Sequence, residues 1–290
     1  MNLHWDDLKT VLELVRHGSL ASAGAQLGVN YTTVARRVAR AEAALGEVLF
    51  ERLADGYQPT EAALLVARHA GEMQQSEDTL LRHLAGRDER LSGPLTLTAP
   101  QLLIAHVLAP ALQTFAEAHP NVDLRVKATN DLLDLTRREA DLGVRVSRDP
   151  GDTLTGLRLA AQDSASFASA DWAARIAEDP TAPIDWIVYE AHATLPKHVL
   201  QTSPSSRIRY RFDDMIALAG AAQAGLGVVR MPMFLGRSLD GLVQVPLLPP
   251  TPYMDIWLVG HPDVWPSAKV TALRQAIRAD LKARRALFVA

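Results

Sequence analysis

Three closely spaced arginines are the residues of this chain whose type and position best suit a chemical task. Arg36, Arg37 and Arg40 follow a tight turn at residues 28–30, and no Asp or Glu occurs in residues 14–41. Guanidinium groups match the geometry of phosphate oxygens and of guanine edges. A solvated charged helix face is the alternative, but the turn and the local lack of acids favour contact with DNA.

The residues around these arginines predict a helix-turn-helix with a wing. Apolar residues at helical spacing predict helices over residues 5–15 and 32–45, and Ser19 can cap a shorter helix that ends near residue 27. Segments 49–52 and 57–60 flank a hairpin-like turn at residues 54–56. This order of elements is typical of domains that place one helix in the DNA major groove.

The third predicted helix divides into a buried stripe and an outer face. The stripe consists of Val34, Val38, Ala41 and Leu45. The start of the helix is expected to meet base edges, and arginines elsewhere are expected to meet phosphates. The predicted DNA-binding residues are Tyr31, Thr32, Thr33, Arg36, Arg37, Arg40 and Arg52. Among the arginines, Arg36 is the candidate for reading bases and the others are candidates for phosphate contacts.

A long helix is predicted after the wing, over residues 60–84, because this segment contains no proline and a single glycine. Its apolar residues recur at three- and four-residue spacing, as in a weak coiled-coil seam. The seam consists of Val66, Met73, Leu80 and Leu84. Packing on the chain's own winged domain is the alternative. A helix of about 38 Å is longer than that domain needs, so we predict a partner helix in a dimer.

From Pro94 onward the pattern changes to alternating strands and helices. The first five elements predict a βαβαβ unit and hence a parallel sheet; they are strands at 95–98, 122–126 and 141–146, with helices at 102–118 and 132–139. Later strands are predicted at 184–189, 207–211, 227–230 and 254–259, and later helices at 212–224 and 267–283. Polar residues at 86–93 indicate a linker before this domain.

Polar residues and free helix N–H groups follow the first two strands of this domain, which favours a site for a polar or anionic ligand. Ordinary helix capping is the alternative for any single residue. The candidates in these loops are Thr98, Ala99, Pro100, Gln101, Thr129 and Asn130. Further candidates after the third strand are Arg145, Val146 and Arg148, and weaker ones in the second half of the domain are Phe167, His192 and Arg230.

The chain resembles the LysR-type transcriptional regulators. The family pattern is matched in order and without a gap by Ala21, Ala25, Leu27, Val29, Asn30, Thr32, Val34, Ala35, Arg36, Val38, Leu45, Gly46, Leu49, Phe50, Arg52, Thr60 and Ala62. At Ala35, Ala41 and Ala63 the chain lacks the residue that the family has most frequently, which is Ser, Leu and Gly, respectively. The segments DLGVR at 141–145 and AGLGVVRMP at 224–232 are similar to signatures of the family's effector domain.

This resemblance implies an α/β protein with an α-rich winged helix-turn-helix domain at 1–60, a dimerisation helix at 61–86 and a linker at 87–92. An effector-binding domain follows at 93–290, with two α/β lobes similar to periplasmic solute-binding proteins. Lobe I is implied at 93–162 plus 259–290, and lobe II at 163–258. A small-molecule effector is expected between the lobes, consistent with ligand binding at strand carboxyl ends. The implied partners are double-stranded DNA, the effector, further copies in a dimer or tetramer, and RNA polymerase.

Composition limits the number of domains and the classes of function that the chain can have. The 290 residues are 48% hydrophobic and 22% charged, which is typical of a globular protein with two or three modules. No cysteine is present, and the nine histidines are scattered without an HExxH or HxH motif, so no metal, cofactor or catalytic site is predicted. The first ten residues do not read as a signal peptide, and no run of 18 apolar residues occurs, so we expect a cytoplasmic protein without membrane contact.

The leading hypothesis is therefore a ligand-responsive transcriptional regulator. A net charge of −3 would limit its non-specific binding to DNA, while the basic face acts locally. Two other classes remain. An enzyme fused to a DNA-binding module lacks a recognisable catalytic constellation in this sequence. A ligand-independent architectural DNA binder would use the second domain for assembly alone.

Overall fold

The computed structural model describes residues 3–53, 56–86, 89–129, 140–149, 154–190, 194–195 and 197–290. They belong to two compact units, Met1–Leu84 and Ala85–Ala290. Part of the predicted wing turn at 54–55, the predicted helix at 132–139, and the candidates Asn130 and His192 lie outside the described residues.

The first unit is a winged helix-turn-helix followed by a long helix, as predicted. Its elements are α1 (Trp5–His17), α2 (Leu20–Leu27), α3 (Tyr31–Leu45), β1 (Phe50–Leu53), β2 (Gly56–Pro59) and α4 (Glu61–Gly86). Ser19 caps α2 through a side-chain oxygen that accepts the N–H of Ser22. Gly28 ends that helix in the left-handed conformation, with φ of 64°, which glycine adopts at little cost.

A close backbone contact holds the turn between α2 and α3. A Cβ atom added at Gly24 would lie 2.7 Å from the carbonyl oxygen of Val29, so the turn can pack this tightly only against a glycine. The predicted stripe of α3 faces the domain core, where Val34 and Ala41 are fully buried and Val38 is 5% exposed. Local spacing thus decides which face of α3 packs inward and which remains outside.

The second unit begins with an alternation of strands and helices. In chain order its elements are β3 (Gly93–Ala99), α5 (Gln101–Leu103), a π-helical turn (Ile104–Leu108), α6 (Ala109–Ala118), β4 (Val122–Ala128), β5 (Leu142–Ser147), β6 (Thr155–Ala160), β7 (Asp163–Ser169), α7 (Ala170–Glu178), β8 (Asp185–Tyr189), α8 (Lys197–Thr202), β9 (Arg207–Phe212), α9 (Met215–Gln223), β10 (Val228–Pro232), α10 (Met233–Ser238), β11 (Leu242–Gln244), β12 (Thr251–Pro252), β13 (Asp255–Gly260) and α11 (Ala268–Ala283), and a 3₁₀ turn follows at Arg285–Leu287.

These strands form two sheets, one in each lobe. The order in lobe I is β4-β3-β5-β13-β6, and the order in lobe II is β11-β7-β10-β8-β9, with β12 also paired to β7. Strands β3, β4 and β5 are parallel as predicted. Both sheets are nevertheless mixed, because β13 runs antiparallel to β5 and β6, and β7 runs antiparallel to β10. The parallel arrangement predicted for the βαβαβ unit is therefore confirmed for its three strands, and the antiparallel strand β13 adds to their sheet.

The crossing between lobes differs from the predicted one. We placed the return to lobe I at Val259, but β13 pairs with β5 from Asp255 onward and lies wholly in the lobe I sheet. Strands β6 and β7 and helix α7 were not predicted at all, and in β7 the reason is that Ala and Ser dilute the hydrophobic pattern. Ser164 and Ser166 of β7 are buried, so a strand with polar side chains forms part of the lobe II interior.

Candidate DNA interface and ligand cavity

The first turn of α3 presents residues that we predicted to meet bases. Asn30 caps the helix: its Oδ1 accepts the N–H of Thr32 at 3.1 Å and the Thr32 hydroxyl at 3.2 Å. Tyr31 is 58% exposed, and Thr33 is half-buried. The cap therefore fixes the Thr32 hydroxyl, whereas the Tyr31 ring is accessible to a partner.

The three arginines of α3 have different surroundings. Arg36 is exposed, and no ion pair or hydrogen bond joins its side chain to another residue in the part of the chain that the structure describes. Arg37 Nη2 lies 2.8 Å from Asp6 Oδ2. Arg40 donates from Nε and Nη2 to the two carboxylate oxygens of Asp7, at 2.7 and 2.5 Å.

The pairing with Asp7 gives Arg40 a structural role. Asp7 is fully buried on α1, and a buried carboxylate requires a hydrogen-bonded partner. The hydrogen bond with Asp7 raises the pKa of the Arg40 guanidinium above its ordinary value. Arg40 thus fixes α3 against α1. Contact of Arg37 and Arg40 with phosphates stays a prediction. Each side chain would have to bind a phosphate while it is paired with Asp6 or Asp7, respectively, or else leave that partner.

The wing carries the remaining predicted DNA contact. Strands β1 and β2 are antiparallel, and Arg52 lies opposite Tyr57 in their register. Arg52 is exposed. The guanidinium of Arg52 is therefore accessible from outside the domain, and its contact with a phosphate stays a prediction.

The outer end of α4 presents an apolar face. Met73, Leu80 and Leu84 are 46%, 59% and 56% exposed, respectively. Val66, which we placed in the same seam, instead packs partly buried against the core of the winged domain. Val66 therefore does not belong to the exposed apolar face, because this part of α4 packs within the unit.

A cavity of about 630 Å³ lies at the carboxyl ends of β8, β9 and β10 in lobe II. Gln101 and Leu102 of lobe I, and Tyr253 and Met254 of the segment that returns to lobe I, complete its wall. Much of the lobe II wall is apolar and includes Leu195, Met215, Ile216 and Leu248. Such an apolar concavity with a few convergent polar groups is typical of a small-molecule site.

The predicted effector residues lie mostly outside this cavity. Gln101 lines it, whereas Thr98 and Ala99 are buried within β3, with exposures of 4% and 1%. Phe167 is a core residue, 1% exposed, and its ring leaves no room for a Cβ atom at Gly236. The wall does not include Pro100, Thr129, Val146 or Arg148; Val146 packs on the core and Arg148 is exposed.

Arg230 is the candidate from lobe II that the structure does place in the wall. It lies on β10, opposite Ser166 of β7. Burial lowers the pKa of its guanidinium below the ordinary value. Burial also raises the pKa of the Tyr253 hydroxyl, with a smaller contribution from Tyr189. The wall therefore combines the guanidinium of Arg230 with the phenol of Tyr253, which remains neutral and can donate a hydrogen bond.

Sequence reasoning missed most of the cavity wall, including Trp186, Tyr189 and Asp213 of lobe II and Tyr253 of the returning segment. A usable signal existed, because Tyr189 ends one predicted strand and Asp213 follows another. We applied the carboxyl-end rule to lobe I, although it holds for the parallel strands of lobe II as well.

No group of three or more His, Asp or Glu side chains among the described residues is arranged to hold a metal ion. Every helix in the same part of the chain is too short or too polar to cross a membrane.

A DNA-binding domain of this form, joined by a long helix to a two-lobed ligand-binding domain, defines a bacterial one-component transcriptional regulator. The family model described as LysR substrate binding domain matches residues 88–282. The model described as bacterial regulatory helix-turn-helix protein, lysR family, matches residues 5–64. The chain belongs to the LysR family of transcriptional regulators.

Relatives and solved structures agree with this assignment. The chain is 28% identical over 267 residues to the Mau operon transcriptional activator of Paracoccus denitrificans, covering 90% of each protein. It is 29% identical to the regulator AbaB of Streptomyces antibioticus, over 84% of this chain and 86% of that one. The full-length structure of the virulence activator AphB of Vibrio cholerae has the same fold, with a TM-score of 0.59 at 21% identity, covering 96% of this chain and 99% of that chain.

Proposed function

We propose that this regulator binds a small molecule in the cavity between its lobes and changes its DNA binding, or the bending of its DNA, in response. The observation that carries this proposal is the composition of the cavity wall, which joins residues of lobe I, lobe II and the returning segment. A ligand that contacts all three stabilises one arrangement of the lobes over others. Differential affinity of this kind is what a ligand needs in order to shift a conformational equilibrium.

The proposed DNA contacts divide between bases and phosphates. The start of α3 would enter the major groove, with Tyr31, Thr32, Thr33 and Arg36 directed towards base edges. Arg37, Arg40 and Arg52 would contact phosphates, which fix position rather than sequence. The exposure of Arg36 and Tyr31 supports the first assignment.

The proposed assembly is a dimer formed through α4, with tetramers as pairs of dimers. Met73, Leu80 and Leu84 follow one another at seven- and four-residue spacing, which is the spacing of a coiled-coil seam. All three are exposed within the single chain, so a second copy of α4 would bury them. Dimerisation would also allow two recognition helices to read successive major grooves about 34 Å apart.

RNA polymerase is the further partner we propose, because a transcriptional regulator acts on the initiation of transcription. The expected place of action is the bacterial cytoplasm, where the DNA is. We propose no catalytic activity, since the relatives named above are regulators. The solved structure of LysG from Corynebacterium glutamicum, whose title records a bound effector Arg, has the same fold at a TM-score of 0.52 and 18% identity; that effector is a property of LysG.

The test uses the full-length protein in two steps. A duplex is first selected from a random pool by binding to the protein, and a metabolite library is then screened for compounds that raise the melting temperature. A compound at 100 times its dissociation constant should stabilise the protein by about 2.7 kcal/mol. We expect a stabilising compound to change the affinity for the selected duplex or its bend angle. Turnover of a compound would favour an enzyme, and a library without a stabilising compound would favour an architectural DNA binder.

A further inference from the structure

Arg230 is a cation in the cavity wall without an acidic partner among the described residues. Its Nη2 donates to the carbonyl oxygens of Ser164 and Pro249, both at 3.0 Å, and to the Thr251 hydroxyl at 2.8 Å. These acceptors are neutral, so they satisfy N–H groups without balancing the charge. Its Nη1 is buried and makes no hydrogen bond to a described residue.

Two more buried polar atoms without partners lie on the same face of the lobe II sheet. Ser166 is directly opposite Arg230 in the antiparallel register of β7 and β10, which places the two side chains on one face about 5 Å apart at Cβ. Trp186 of β8 is paired with Val228, two residues before Arg230 on the same face. The Ser166 Oγ and Trp186 Nε1 atoms, like Arg230 Nη1, have no hydrogen-bond partner among the described residues.

Of these three groups, Arg230 and Trp186 line the cavity, and they favour a ligand that accepts hydrogen bonds and carries negative charge. Guanidinium and indole N–H groups are donors only. An ionised carboxylate is an acceptor only, and its hydrogen bonds to a guanidinium are among the strongest that proteins make. A carboxylate is therefore the group that complements Arg230 in both hydrogen bonding and charge.

The rest of the wall limits the ligand to a single negative charge and an apolar body. Asp213 and Asp214 also line the cavity, and Asp214 accepts the N–H of Ala217 at 2.8 Å as the cap of α9. Arg230 balances one negative charge on a ligand, whereas the two carboxylates repel any further one. Apolar side chains such as Met215 and Ile216 offer the remainder of the ligand a surface that excludes water.

We infer that the effector cavity takes a monocarboxylate with an apolar body, and that the carboxylate is bound by Arg230 of lobe II. This inference rests on the proposed function, because it takes the cavity to be the effector site. It adds the chemical class of the ligand and the residue that selects it. Binding at Arg230 would also engage the segment at Pro249 and Thr251 that leads back to lobe I.

The experiment is a thermal-shift and calorimetric titration of the full-length protein with matched pairs of probes. The probes are the straight-chain acids from butanoate to octanoate, together with phenylacetate, and each is paired with its primary amide, which has the same shape without the charge. We expect one or more carboxylates to raise the melting temperature and their amides to have no effect. Arg230→Gln should weaken binding of those carboxylates by at least about 10-fold, as loss of a charged hydrogen bond does.

Two further variants test whether Arg230 binds the carboxylate or only holds the segment at Pro249 and Thr251 in place. Arg230→Lys retains the charge but cannot reproduce the set of contacts to Ser164, Pro249 and Thr251, so it should retain part of the carboxylate response. Arg278→Gln removes an exposed arginine of α11 outside the cavity wall and should leave the response unchanged. If Arg230→Lys and Arg230→Gln lose carboxylate binding equally, Arg230 only holds the segment at Pro249 and Thr251 in place, and the inference is wrong.

The remaining outcomes are also decisive. Equal stabilisation by an acid and its amide, or a carboxylate response that persists in Arg230→Gln, would overturn the inference while leaving a ligand-binding cavity intact. A dicarboxylate that binds more tightly than its monocarboxylate counterpart would contradict the single charge. If neither the probes nor the metabolite library stabilise the protein, the proposed function itself fails, and the inference with it.

Discussion

Replacement of Arg36 by alanine isolates the base-reading role assigned to α3. The side chain is exposed and makes no ion pair or hydrogen bond to a described residue, and alanine is a good helix former. Folding stability should therefore be unchanged. Loss of a bidentate base contact costs about 1–3 kcal/mol, which corresponds to roughly 5- to 150-fold in affinity at 25 °C.

Fluorescence anisotropy with the full-length protein measures this effect. The duplex is one that the wild type selects from a random pool, and a scrambled duplex of equal length reports non-specific binding. We expect Arg36→Ala to lose most of its affinity for the selected duplex and to tolerate changes at one base pair. Arg16→Ala is a matched control, because Arg16 is held by Glu13 at 2.6 Å on α1.

Arg40→Ala provides a contrasting result in the same assay. This substitution leaves the buried Asp7 without the two hydrogen bonds that it accepts, so the melting temperature should fall even in the absence of DNA.

Unchanged affinity and unchanged base preference in Arg36→Ala would refute the assignment of Arg36 to base reading. A loss that is equal for the selected and scrambled duplexes would reassign Arg36 to a phosphate.

Three other outcomes follow from the packing of the first unit. Met73→Glu combined with Leu80→Glu should dissociate the oligomer in sedimentation, because it places charges in an apolar seam; unchanged sedimentation would locate the interface elsewhere. Gly24→Ala should lower the free energy of unfolding in urea by about 1–3 kcal/mol, because its Cβ would lie 2.7 Å from a backbone carbonyl, and a neutral result would contradict the close contact. The hydrogen bond from Lys9 lowers the pKa of Glu77, so the stabilisation from this pair is present above the ordinary glutamate pKa and is lost as pH falls through the lowered value. Glu77→Gln should therefore reduce the melting temperature at pH 7 but not well below the lowered pKa, and an equal reduction at both would exclude an electrostatic origin.

The winged domain could be predicted from sequence because its determinants are local. Ser19 and Asn30 cap α2 and α3, Gly28 and Gly46 end them in the left-handed conformation, and the apolar spacing of α3 selects its buried face. Each of these signals lies within a few residues of the feature it determines. The family model over residues 5–64 agrees with that part of the prediction.

The paired state of Arg40 could not be predicted in the same way. Its partner Asp7 is 33 residues earlier in the chain, and only the packing of α1 against α3 brings the two together. The same limit applies to Val66, whose apolar spacing fits the seam but whose position at the start of α4 places it against the winged core.

The ligand cavity depends on contacts between residues that are still further apart in the sequence. Arg230 approaches Ser164 across a sheet in which β10 lies between β7 and β8, an order that the chain sequence does not reveal. Strand β7 was missed because its buried serines break the hydrophobic pattern. Residues at the ends of β8 and β9 were accessible to prediction, since the strands themselves were identified and the carboxyl-end rule applies to them.

The central claim is that the cavity and the DNA-binding helices are energetically coupled, and reciprocal titration tests it most directly. The affinity for the selected duplex is measured with and without a saturating stabilising compound, and the affinity for the compound is measured with and without saturating duplex. Coupling requires both affinities to change by the same factor, which is typically about 5- to 150-fold. If the compound binds equally well to the free protein and to its DNA complex, and the DNA bend angle is also unchanged, the protein is not the ligand-responsive regulator described here.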